Sequence, residues 1–338
     1  MPDAPTQAPD AAPPGTVAAH GGAAEAPAAR AAQPGAAAIW SQLAKARLSA
    51  LVLLTAAAGY AVAPPVAEGW WPRLGWACLG TGLAAASAAM LNQVAERRRD
   101  ALMRRTAGRP LPAGHASAKV VFAVAVVLGY AGCAVLAQWT TLLAAGLAAL
   151  NILLYVLLYT PLKPRTTFNT LVGAVTGAIP PVIGWTAATG TMAPGAWALF
   201  GILFVWQLPH FLALAWLYRE DYAAGGFAML PSRDPDGAIT AQVCVLTSLL
   251  LVPIGLLGTL TGVAGVVYAL TAVVGGAWLA WLSFAFLRVR SDARARTLFL
   301  ASLAYLPVLL AVMVADRGSV VPTGARRDGT VIIEVPAR

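Results

Sequence analysis

From about residue 48 the chain alternates long apolar runs with short polar or Pro/Gly-rich breaks. The runs cover 48–66, 70–93, 119–137, 139–159, 168–188, 196–217, 241–263, 265–287 and 295–315. Each is close to the roughly 20 residues of helix that cross a bilayer. The pattern predicts an all-α integral membrane protein with nine transmembrane helices. The weakest division lies between the third and fourth runs, where only Gln138 and Trp139 mark a turn. Outside the runs the pattern changes. Residues 1–38 are rich in Ala, Pro and Gly and almost free of large apolar side chains, a composition that cannot bury enough surface to order a chain. We therefore expect a disordered tail over 1–38, a membrane domain over 39–316 and a second tail over 317–338, in which Val331-Ile332-Ile333 could pair locally. The first tail lacks an apolar signal region and has a single Arg, so it reads as neither a secretory signal nor a transit peptide.

Composition narrows the class. Hydrophobic residues make up 59% and charged residues 11%, with a mean hydropathy of +0.71. A soluble domain carries roughly 25% charged residues, which excludes that class here. The net charge of +9 matters through its placement, because Lys and Arg favour cytoplasmic loops. A cytoplasmic N-terminus puts Lys45 and Arg47, the 94–118 loop, Lys163 and Arg165, Arg219 and Arg233, and Arg288, Arg290, Arg294 and Arg296 on one side. The opposite loops hold little beyond Glu68 and Arg73. The C-terminus then lies outside, where Arg317, Arg326 and Arg327 run against the rule. The basic charge is a topology signal, and nothing in it points to nucleic acid. Cys78, Cys133 and Cys244 lie singly in apolar runs and read as small buried hydrophobes.

The unusual polar motifs all fall on the inferred cytoplasmic side. Asn92, Glu96 and Asp100 are spaced by four, which puts them on one helix face. Hard divalent cations such as Mg²⁺ take oxygen ligands and leave positions open for phosphate. Arg97, Arg98, Arg99, Arg104, Arg105 and Arg109 follow, and Pro110 and Pro112 should break the helix. Arg105 and Arg109 are candidate diphosphate ligands, since guanidinium groups match phosphate oxygens bidentately. Spacing alone leaves open a solvated helix end with a positive-inside cluster. Tyr159-Thr-Pro-Leu-Lys163 offers a compact cation at the next helix end; Asn169 reads equally as a helix cap. Gly173, Gly177 and Gly184 read as packing positions, and Pro180-Pro181 as a kink. Trp206-Gln207-Leu-Pro-His210 places polar side chains inside a span, where they are costly and mark function. Neutral imidazole is a common iron ligand, although a lone His is also a frequent hydrogen-bonded core residue. Glu220 and Asp221 supply a second carboxylate pair. They are read as a second metal face or as a charged helix end.

Together these segments resemble the UbiA superfamily of intramembrane prenyltransferases, and within it the protoheme IX farnesyltransferase (heme O synthase) family. The matching stretches are Asp100 to Pro112, Tyr159-Thr-Pro-Leu-Lys163 and Trp206 through Tyr222, and the resemblance spans roughly residues 40–315. It implies nine helices around a central cavity, with active-site loops facing the cytoplasm of a cell inner membrane. It implies Mg²⁺-dependent transfer of farnesyl from farnesyl diphosphate to a vinyl group of heme B, with addition of water, giving heme O for terminal oxidases. A downstream heme A synthase is an implied partner. The implied metal ligands are Glu96, Asp100, Glu220 and Asp221, with Asn92 beside them; the diphosphate set is Arg105, Arg109, Lys163 and Tyr159; the heme set is His210, Gln207 and Trp206. The sequence departs from the pattern at Arg98, where an acidic residue is usual, and at Glu96, where many relatives have Asp. The second acidic motif is also less regular, and His115 takes no role. Arg98 should point away from the 92/96/100 face.

Overall fold

The structure, a computed structural model, describes residues 35–64, 70–318, 321–323 and 332–334. The apolar runs fold as helices, in chain order α1 (Ala36–Leu43), α2 (Ala46–Val62), α3 (Trp70–Asp100), α4 (Ala118–Trp139), α5 (Leu142–Leu162), α6 (Asn169–Thr189), α7 (Pro194–Leu217), α8 (Arg219–Ala224), α9 (Leu230–Arg233), α10 (Ala238–Leu260), α11 (Val266–Arg288) and α12 (Asp292–Ala315). Among the described residues eight of these are long and apolar enough to cross a membrane. A ninth span arises if α1 and α2, bent by 50° at their junction, are counted as one. The chain is an all-α, multi-pass membrane protein.

Two boundaries differ from the sequence expectation for physical reasons. Residues 36–38, read as tail, already belong to α1, because a run of Ala is the strongest helix former available. The turn read at Gln138-Trp139 lies at Thr140-Thr141 instead, where the Thr141 hydroxyl accepts a hydrogen bond from the Ala144 amide at 3.1 Å and caps α5. Strands Val321–Thr323 (β1) and Ile332–Glu334 (β2) pair antiparallel, so Ile332 and Ile333 pair locally as read. Val331 and most of the two tails lie outside the described residues.

Successive spans pack side by side, α2 on α3, α3 on α4, α4 on α5, α10 on α11 and α11 on α12, and α12 returns to touch α2 and α7. Helices α6 and α7 are 78% and 72% buried, against 17% to 44% for the other spans, so these two form the centre. Their composition explains this placement. Small residues let membrane helices approach closely, and a Cβ at Gly184 would collide with the Ala56 carbonyl of α2, as one at Gly59 would with the Pro181 carbonyl of α6. An apolar groove of about 420 Å³ lies between α11 and α12, lined by Val274, Trp278 and Tyr305 among others. It contains none of the candidate site residues.

Candidate active site

The four-residue spacing on α3 works as read. Asn92, Glu96 and Asp100 share one face and are 0%, 6% and 1% exposed, while Arg98 points out to solvent. Charged groups this deep require partners, and each finds one at the end of a different segment. Lys163, just beyond α5, places its Nζ 2.8 Å from Glu96 Oε1. That oxygen has no other hydrogen-bond partner among the described residues, so Lys163 is its sole charge partner. Arg109, in the loop after α3, donates to Asp100 Oδ2 at 2.8 Å. The Asn92 side chain accepts from Lys45 Nζ at 3.1 Å and donates to Thr160 Oγ1 at 3.1 Å. A row of three cations thus faces a row of one amide and two carboxylates.

Local backbone chemistry brings these groups together. The last turns of α5, Leu154–Tyr159, are π-helical, a form concentrated at functional sites. The Thr160 hydroxyl bonds back to the Tyr155 carbonyl at 2.8 Å. The wide turn sets Tyr159 beneath Lys163, whose Nζ lies 4.5 Å from the ring centroid. Burial on its own would push the Lys163 amine down; Tyr159 and the Glu96 carboxylate outweigh it and hold the amine above its ordinary range. After Asp100 the chain turns, with the Thr106 hydroxyl donating to the Asp100 carbonyl at 2.8 Å, and this returns Arg109 to the carboxylate. The helix therefore ends well before the prolines expected to break it.

The second acidic motif behaves differently. Glu220 is exposed and Asp221 half-buried in the short helix α8, and among the described residues no three His, Cys, Asp or Glu side chains converge as a metal-binding group. The expected joining of Glu220 and Asp221 to Glu96 and Asp100 is not found. The 218–229 segment is held by other contacts. Arg105 stacks over Tyr218 and Tyr222, 4.9 and 5.8 Å from their centroids, so its guanidinium serves the loop and is not turned to the carboxylate row. Arg99 donates to the Gly225 and Gly226 carbonyls at 3.0 and 3.1 Å. Asn169 is not a cap: its amide donates to the Thr166 and Ala228 carbonyls at 2.6 and 3.0 Å, tying this loop to the start of α6.

Deeper in the bundle, His210 is 9% exposed and stacks between Trp206 and Phe299, with centroids 5.0 and 4.8 Å away. Gln207 spends its amide on the Ala174 and Leu203 carbonyls at 3.3 and 2.9 Å, which makes it an α6–α7 tie. Trp216 donates to Asp292 at 2.9 Å; Arg219 meets the same carboxylate at 2.9 Å.

A family model described as the UbiA prenyltransferase family matches residues 52–304. This chain belongs to the UbiA prenyltransferase family. It is 41% identical to the protoheme IX farnesyltransferase of Solibacter usitatus, covering 82% of this chain and 97% of that one. It is 45% identical to that of Salinibacter ruber, over 81% and 96% of the two chains. The human mitochondrial protein of the same name is 40% identical over 81% of this chain and 61% of its own length. Solved UbiA structures share the fold at low identity. A digeranylgeranylglyceryl phosphate synthase superposes with a TM-score of 0.69 at 13% identity, over 82% of this chain and 97% of that one. A UbiA homolog from Archaeoglobus fulgidus, bound to DMAPP and Mg²⁺, superposes with a TM-score of 0.60 at 13% identity, over 82% and 99%.

The carboxylate row fits Mg²⁺ by its donors. Glu96 and Asp100 supply hard oxygens, Glu96 Oε1 is buried with the Lys163 ammonium at 2.8 Å and no other hydrogen-bond partner among the described residues, and Mg²⁺ commonly takes one or two carboxylates and completes its shell with phosphate and water. Sequence reasoning missed Lys45 as a site residue. It counted that residue only as a topology charge, yet Lys45 is the sole non-Gly residue with positive φ (47°) among those described. No local signal marks it, because its partner Asn92 is 47 residues away.

Proposed function

We propose that this chain transfers the farnesyl group of farnesyl diphosphate to a vinyl group of heme B, with addition of water, giving heme O and diphosphate. The observation that carries the proposal is the 41% and 45% identity to proteins of that name across 97% and 96% of their lengths. The site supports it from below. Lys163 and Arg109 neutralise buried carboxylates and Lys45 binds the Asn92 amide in the described state, and the same cations suit an incoming diphosphate, since Arg and Lys both bind phosphate oxygens. Glu96 and Asp100 would hold Mg²⁺, which when bound would supply further positive charge to the leaving group. As the allylic C–O bond breaks, the three cations stabilise the charge that grows on diphosphate. The allylic carbon bonds to the vinyl group, leaving a cation on the adjacent carbon that water captures, its hydroxyl staying on that carbon and its proton passing to the released diphosphate. Apolar walls around Trp206, Phe211 and Phe299 keep water from capturing the allylic cation first. We assign His210, with Trp206, to the heme side and Tyr159 to the diphosphate side. Asp221 is assigned to a loop that closes on the bound diphosphate.

We place the protein in a cell inner membrane with its N-terminus and active-site loops cytoplasmic and its C-terminus opposite. A heme A synthase acting on the product is the proposed downstream partner. The test is mass spectrometry of hemes from membranes expressing this chain, with and without added farnesyl diphosphate. A new heme heavier by farnesyl plus water is expected. Unmodified heme beside a prenylated quinone precursor would move the acceptor, and no prenylated product from folded protein would remove the transferase reading.

A further inference from the structure

His210 Nδ1 lies 2.9 Å from the hydroxyl of Ser302, 92 residues away on α12. That hydroxyl has a single hydrogen, and the hydrogen is already directed at the Phe299 carbonyl at 2.7 Å. The Ser302 oxygen therefore accepts, and Nδ1 donates. The groups facing the ring are Trp206, Phe211, Phe299 and Ser302, with no carboxylate among them, so a buried imidazolium would stand unpaired at considerable cost. A neutral imidazole has one N–H; with that proton on Nδ1, Nε2 carries a lone pair. Among the described residues Nε2 has no hydrogen-bond partner.

The ring is also fixed in orientation. Trp206 and Phe299 sandwich it at interplanar angles of 22° and 29°, which sets its plane, and the Ser302 bond rules out a half-turn within that plane. Ser302 holds the sandwich as well, because its backbone carbonyl accepts from Trp206 Nε1 at 2.8 Å. One residue thus pins both the imidazole and the indole lying on it.

We infer that Ser302 is a positioning residue that holds His210 as the Nδ1–H tautomer, so that the Nε2 lone pair is presented to the iron of the heme substrate. The inference rests on the proposed heme acceptor. Its physical basis is general: a histidine that ligates a metal almost always donates its other ring N–H to a fixed acceptor, which sets tautomer and orientation and raises ligand basicity.

The experiment is a titration of ferric heme into the purified full-length protein, followed by Soret absorption and electron paramagnetic resonance, for wild type, His210→Ala, Ser302→Ala and Ser302→Thr. His210→Ala should lose the imidazole-ligated spectrum. Ser302→Ala should weaken heme binding about 10- to 100-fold and shift the spectrum, while farnesyl diphosphate binding stays unchanged; Ser302→Thr, which keeps the hydroxyl, should restore the wild-type spectrum. If the Ala variant does not fold, Ser302→Val against Ser302→Thr gives the same contrast between isosteric side chains. Hydroxyl-free variants with the wild-type spectrum and affinity, beside a His210→Ala variant that has lost both, overturn the positioning role and leave the ligand standing. An unchanged spectrum in His210→Ala removes the ligand reading and this inference with it.

Discussion

Lys45 concentrates two costs in one side chain. Its backbone is left-handed, with φ 47°, which for a non-Gly residue costs roughly 1–2 kcal/mol. Its amine leaves water to meet Asn92 at 3.1 Å. Strain of this kind persists where the surrounding structure imposes it, and such positions cluster at functional sites. Lys45→Gly separates the two contributions. Glycine adopts this conformation freely, so relief of about 1–2 kcal/mol offsets much of the lost charge-assisted hydrogen bond, worth about 1.5–3 kcal/mol. We expect a thermal midpoint within a few degrees of wild type and a clear loss of farnesyl diphosphate affinity by equilibrium binding; unchanged affinity would remove Lys45 from the site. Asp100→Asn keeps the shape of a group that is 1% exposed but removes the charge opposite Arg109. Turnover should fall by about a hundredfold or more, on the scale of losing one electrostatic contact to a developing charge. Near wild-type heme O formation in that variant would refute the role of the carboxylate row.

Among the elements, α6 matters most, because its small residues let α2 lie directly against it. A Cβ at Gly184 meets the Ala56 carbonyl, and a backbone atom cannot swing aside as a side chain can. Gly184→Val should therefore cost at least the 1–3 kcal/mol typical of overpacking, read as a lower unfolding temperature in detergent. Gly75, which lies in α3 with nothing within contact distance of an added Cβ, is the control. There Ala should stabilise by up to about 1 kcal/mol, because glycine loses more backbone freedom in a helix. Equal effects at the two positions would mean that the α2–α6 contact is looser than described.

For the whole molecule, the polar chemistry collects where segments from α1–α2, α3, α5, α6 and the 218–229 loop meet. The C-terminal part of the loop is anchored by Phe227 and Met229, buried against Met103 and Ala215, while its outer part is held by polar and cation–π contacts, with Arg105 over Tyr218 and Tyr222 and Arg99 on the Gly225 and Gly226 carbonyls. Such attachments open more readily than a packed core. Removing an exposed cation–π contact costs about 0.5–1 kcal/mol, which raises the open population about two- to fivefold. Arg105→Ala should speed tryptic cleavage at Arg219 or Arg233 by that factor. Protection equal to wild type would show that Arg105 does not close the loop.

The sequence by itself determined the spans and the 92/96/100 face, because both follow from backbone periodicity: apolar runs of bilayer length, and a repeat of four on a helix. It also marked His210 as an unusual polar residue within a span. Tertiary structure decided which groups face each other. Glu96 takes Lys163, Asp100 takes Arg109 and Asn92 takes Lys45, while Asp221 stays apart from that row and Arg105 turns to tyrosines. Ser302, an unremarkable polar residue of α12, acquires its place only because α12 packs against α7. Periodicity is local and can be read within a few turns of one helix. The pairing of helix faces depends on how closely backbones approach and where each span bends, and those are properties of the assembled bundle.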